Sequence, residues 1–108
     1  RLLRRTNPRI LPTIPRRGFL RIGLSQDRAA FPAALSEGAL DVKTKELMAV
    51  LVGIVTHCGD CIGFHMQGAK KAGATKDEVA EMVSVAILMG GGPGYMYGMK
   101  ALEAFDQL

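Results

Sequence analysis

The stretch DVKTKELMAVLVGIVTHCGDCIGFHMQGAKKAG, residues 41–73, decides the fold of this chain. Asp41 is an N-cap candidate, and the apolar residues at 47, 48, 51, 54 and 55 recur with the 3.6-residue period of an amphipathic helix. A second helix opens at Cys58 and is ended by Gly73, a residue type that accepts the left-handed backbone of a helix C-terminus. Nothing alternates with the period of two that marks a half-buried strand.

Outward from this stretch, TKDE (75–78) is a capping box, in which Thr75 caps and Glu78 answers from three residues on. Its helix runs through VAEMVSVAILM and ends at Gly90–Gly91–Gly92; Pro93 then suits the first turn of a last helix ending MKALEAFDQL. On the other side, DRAAFPAALSEG is a short amphipathic piece with Pro32 in its first turns, stopped by Gly38. The expectation is an all-α domain of about five helices over residues 27–108. GGGPG (90–94) has no preceding strand, no GxGxxG and no Walker-type lysine. It reads as a helix break that permits close helix approach, and Met89, Met96 and Met99 read as core filling.

A chain of 108 residues makes one domain with a modest core. It is 48% hydrophobic and 22% charged, so copies of itself are expected to cover part of its surface. The longest apolar run, LMAVLVGIV (47–55), is far too short to span a bilayer. The net charge of +4 hides a division: residues 1–28 hold eight arginines and one acid, and the remainder six lysines and nine acids. Residues 1–26 are therefore expected to be a basic, Pro/Arg-rich extended arm. With one aromatic, Phe19, and no recognisable binding fold, the arm implies no nucleic-acid partner. Its composition is also that of an organellar transit peptide, and RRGFLR (16–21) resembles a twin-arginine export motif. Gln26, Asp27 and Arg28 interrupt the apolar stretch that export requires. An atypical or incomplete N-terminus and a cytoplasmic protein are the expectation.

The chemistry is concentrated in HCGDCIGFH (57–65), which holds both cysteines and both histidines. On a helix, Cys58, Cys61, Ile62, His65, Ala69 and Ala72 share one face. Cys61 and His65 are i,i+4 neighbours, within reach of a thiol–imidazole hydrogen bond. Cys58 stands at a helix start, where unpaired amides favour a thiolate. Glu46 is the sole carboxylate of the apolar segment 43–57, on the flank that carries Val50, Gly53 and His57. Helix geometry alone leaves open whether it is solvated or part of a site.

Zinc has candidate ligands in Cys58, Cys61 and His65 with His57 or Asp60, but structural zinc clips two separated segments and no second motif exists. A c-type haem needs a histidine where Ile62 stands, and an iron–sulfur cluster needs more cysteines. No metal or cofactor is expected. Two inert buried thiols would need no paired histidine, so a redox pair fits the pattern better.

Residues 39–93 resemble the core of the AhpD-like, carboxymuconolactone decarboxylase family, and the resemblance covers roughly residues 39–108, without the arm before Asp27. The pattern is a glutamate, a cysteine twelve residues on, a second three later and a histidine four later; Glu46, Cys58, Cys61 and His65 match each step. The resemblance implies a helical domain built around a helical hairpin and assembled into trimers or hexamers. It implies a thiol-dependent peroxidase acting on hydroperoxides and recycled by a lipoyl- or thioredoxin-type dithiol donor. Carried over, Cys61 is the peroxidatic thiol, deprotonated with help from His65; Cys58 resolves its sulfenic acid; Glu46 belongs to the proton relay. One departure is Asp60, which stands where the best-known members have a histidine between the cysteines. The decarboxylase branch acts on a lactone acid without a CxxC. A protein disulfide reductase and an oligomeric binding protein with a structural CxxC are the remaining readings.

Overall fold

The structure is a computed structural model and describes residues 30–108. The expected arm, residues 1–26, lies outside the described residues. Four helices follow one another: α1 (Ala30–Leu35), α2 (Val42–Val55), α3 (Gly59–Lys71) and α4 (Lys76–Gln107). Among the described residues there is no strand, and no helix is long and apolar enough to cross a membrane. Just past α1, Ser36 Oγ donates to the Ala33 carbonyl at 2.7 Å.

Residues 37–108 form one unit, in which α2, α3 and α4 pack on each other. Asp41 caps α2 as its position suggests, its Oδ1 accepting the Thr44 amide at 2.7 Å. Hydrogen bonding from Thr44, by its side chain and then its amide, holds the Asp41 carboxyl below the usual carboxylate range. Thr75 caps α4 in a complete box: the Glu78 amide donates to Thr75 Oγ1 at 3.2 Å, and the Thr75 amide to Glu78 Oε1 at 2.9 Å. The other Glu78 oxygen pairs with Lys43 Nζ at 2.8 Å and so ties the start of α2 to the start of α4.

Within Lys76–Gln107 the two expected C-terminal helices are present, parted by a sharp break at Gly91. Gly91 has φ 64° and ψ −146°, a conformation open to glycine and outside the helical region. Beyond it the chain doubles back. A Cβ on Gly94 would stand 2.8 Å from the Ala86 carbonyl oxygen, and one on Gly98 2.7 Å from Val83 Cγ1. The two ends of α4 meet in a Lys76–Asp106 ion pair at 2.7 Å. One glycine thus reverses the chain, and small residues let its two segments touch.

The core comprises Val50, Ile54, Ile62, Met66, Ala69, Ala74, Val79, Met82, Val83, Ala86 and Ala101. Two sequence expectations need correction. Met66 and Met82 fill the core, whereas Met89, Met96 and Met99 are exposed. On α2 the buried residues are Glu46, Val50, Gly53 and Ile54, whereas Met48 and Val52 are half exposed. Positions 47–55 are apolar all round, so periodicity cannot choose the inward face. Close approach chooses it: a Cβ on Gly53 would lie 3.2 Å from Cys61 Cβ and from the Ile62 amide nitrogen. The bare face of α2 is where α3 can come nearest.

Candidate functional site

The site begins at a turn. α2 stops at Val55, and His57 takes a left-handed backbone, φ 59°. The His57 amide donates to the Ile54 carbonyl at 3.2 Å and the Cys58 amide to the Gly53 carbonyl at 2.8 Å. These two bonds make a Schellman motif, the helix ending that usually places glycine where His57 stands. Among the described residues His57 is the sole non-glycine with positive φ. Its ring stacks on Tyr97, with centroids 4.7 Å apart and planes 18° from parallel.

The turn delivers Cys58 as the N-cap of α3, and its sulfur accepts the Cys61 amide at 3.3 Å. Cys58 and Cys61 are joined by a disulfide across a Cα–Cα distance of 5.2 Å. Both are half-buried, so the bond is within reach of solvent. Asp60, between them, is exposed in the first turn of α3, where a carboxylate interacts favourably with the helix dipole.

One turn beyond Cys61, His65 Nδ1 lies 2.8 Å from Glu46 Oε2. Its Nδ1 partner is the carboxylate, while the Cys61 sulfur is held in the disulfide. A carboxylate oxygen accepts, so this contact suits a ring with its proton on Nδ1, the tautomer in which Nε2 is the acceptor. Glu46 is 7% exposed, and it is a buried member of α2 rather than a solvated one. Gly68 makes room for it: a Cβ there would fall 2.6 Å from Glu46 Oε1. A cleft of about 610 Å³ reaches Glu46 and Gly68 and is also lined by Asp41, Lys43 and Lys71.

The structure thus brings Cys58 to Cys61 and His65 to Glu46, all on the facing surfaces of α2 and α3 and the turn between them. Among the described residues no cluster of three or more His, Cys, Asp or Glu side chains is arranged to hold a metal ion. Gly68 and Tyr97 escaped the sequence reading. Tyr97 meets His57 across forty positions and has no local signal at all.

Comparison with known proteins points the same way. The model of the carboxymuconolactone decarboxylase family matches residues 21–104. An uncharacterized protein of Cupriavidus necator is 41% identical over 85 residues, spanning 79% of this chain and 75% of that protein. An uncharacterized protein of the cox locus of Paracoccus denitrificans is 42% identical over 73 residues, 68% of this chain and 66% of its own length. Among solved structures, a carboxymuconolactone decarboxylase family protein of Legionella pneumophila superposes with TM-score 0.72 at 45% identity, covering 82% of this chain and 77% of the other. A family protein of Thermotoga maritima, with a suggested part in the antioxidative response, superposes with TM-score 0.69 at 32% identity, covering 73% and 81%. By sequence and by fold, this chain belongs to the carboxymuconolactone decarboxylase family.

Proposed function

We propose that this chain is a thiol-dependent peroxidase that cycles between the Cys58–Cys61 disulfide and the dithiol. The observation that carries the reading is the buried Glu46 carboxylate bonded to His65, one helical turn from Cys61. A base oriented by a carboxylate is what a thiol nucleophile needs, and an inert cysteine pair has no use for one. In the reduced chain, His65 Nε2 takes the Cys61 proton and Glu46 steadies the imidazolium. The thiolate attacks the distal oxygen of a hydroperoxide; the S–O bond forms, the O–O bond breaks, and the alkoxide leaves as the alcohol with the proton from His65. Cys58 then attacks the sulfenic sulfur, releasing water and closing the disulfide. A lipoyl- or thioredoxin-type dithiol donor restores both thiols by exchange.

One observation favours a second assignment of the two sulfurs. Cys58, at the head of α3, accepts an amide hydrogen, which stabilises a thiolate there. Single substitutions separate the assignments. Cys61→Ser abolishes peroxide consumption, and Cys58→Ser permits one turnover that ends in a trapped sulfenic acid. The opposite pattern reverses the roles; full turnover in both variants contradicts the peroxidase reading.

Assembly into homotrimers or hexamers belongs to the same proposal. Met48 and Val52 on α2, and Val85, Leu88, Met89, Met96 and Met99 on α4, are exposed apolar residues, more than a small monomer usually leaves in water.

A further inference from the structure

We propose that His57 and Tyr97 form a latch that positions the cysteine pair, with His57 acting through its ring. The inference deepens the redox reading and rests on it only in that the pair must cycle. Three observations support it. His57 occupies a left-handed position that glycine fills at no steric cost, and Gly73, with φ 96°, fills the equivalent position at the end of α3. A residue kept where glycine would be easier has a use for its side chain. That side chain, although exposed, is not idle: it stacks on Tyr97, on the segment of α4 beyond the Gly91 break. The next residue is Cys58, whose amide closes the turn on Gly53 and whose sulfur accepts the Cys61 amide.

In the disulfide the covalent bond itself holds Cys58 over Cys61. In the dithiol nothing covalent does, and the turn must keep the two sulfurs close. A ring anchored on α4 restricts the turn, so less entropy is lost when the disulfide closes and its effective concentration is higher. The latch therefore favours the disulfide over the open dithiol. It makes no contact with a reacting sulfur through a hydrogen bond, and both rings are positioning groups.

The test is the equilibrium of the full chain with oxidised and reduced glutathione: the dithiol plus glutathione disulfide gives the Cys58–Cys61 disulfide plus two glutathione thiols, with atoms and electrons balanced. His57→Asn keeps a residue that tolerates left-handed backbone and removes the stack. It should lower the equilibrium constant for disulfide formation about threefold to tenfold, the range an aromatic contact supplies. Tyr97→Leu should lower it similarly, the double variant should add little more, and Tyr97→Phe, which keeps the stack, should behave as the parent. Melting curves of each variant check folding separately. An unchanged constant in His57→Asn overturns the latch, and so do independent, additive effects of His57→Asn and Tyr97→Leu. A parent chain whose disulfide neither opens nor re-forms in glutathione overturns the redox reading instead.

Discussion

Two turns of this molecule close the same way and serve different ends. Where α3 ends, the Gly73 amide donates to the Lys70 carbonyl at 3.0 Å and the Ala74 amide to the Ala69 carbonyl at 2.9 Å. Where α2 ends, His57 and Cys58 repeat that pair of bonds on Ile54 and Gly53. The α3–α4 turn uses glycine at the left-handed position, then Thr75 and Glu78 to start the next helix with a full capping box. The α2–α3 turn uses a histidine there and gives the cap to a cysteine sulfur, a poorer acceptor than a hydroxyl. One turn is built from residues that suit its backbone, and the other sets local preference aside to place a pair of thiols. Departures of this kind concentrate at working sites.

The contrast breaks if residues of the first kind affect the chemistry, or if residues of the second kind affect only stability. The largest effect is expected at the carboxylate behind the thiols. Glu46→Gln keeps the size and an acceptor for His65 but removes the charge that steadies an imidazolium. Peroxide reduction should fall about 100-fold or more, as for loss of general acid–base help, measured as kcat/KM on a chain that still folds. Gly73→Ala comes next. Nothing lies within 4 Å of a Cβ placed there, so its cost is purely the left-handed backbone. Denaturant unfolding should show a loss of about 1–2 kcal/mol, with the rate of peroxide-driven disulfide formation unchanged.

A smaller effect, about 1 kcal/mol, is expected for Thr75→Ala, which removes the cap of α4. It too should leave the thiol chemistry alone, and calorimetry of the oxidised chain would measure it. The smallest effect concerns acid. Lys43, with the Thr75 amide, holds the Glu78 carboxyl below its ordinary range. A depressed carboxyl contributes stability that is fully present above its unfolded pKa and is lost as pH falls through the lower folded one. Unfolding midpoints should therefore decline in mild acid below the usual glutamate range, and the decline should be shallower in Glu78→Gln. Glu78 is exposed, so the difference is small.

What was legible in the sequence follows the same contrast. Asp41, Thr75 with Glu78, Gly73 and the Gly90–Gly92 break signal themselves within four residues, because caps and left-handed positions are local matters. The spacing of Glu46, Cys58, Cys61 and His65 was legible as a family pattern. Three features were not. The direct Glu46–His65 bond spans nineteen positions and exists because α2 and α3 lie close at Gly53 and Gly68. The inward face of α2 is set by those same bare positions, not by a period, since 47–55 is apolar throughout. The end of α2 carries no glycine to mark it, and a histidine at positive φ is invisible until Tyr97 is seen beside it.

The central claim is that Cys58 and Cys61 are a working redox pair and not a fixed bridge. Reduce the chain with a dithiol, remove the reductant, add one equivalent of an organic hydroperoxide, and count free thiols with time alongside the mass of the intact chain. The account predicts that both thiols of each chain disappear together. It also predicts the mass change of a disulfide, one equivalent of alcohol formed, and full return of the thiols on adding fresh dithiol. Two thiols that persist unchanged in the presence of peroxide would contradict it.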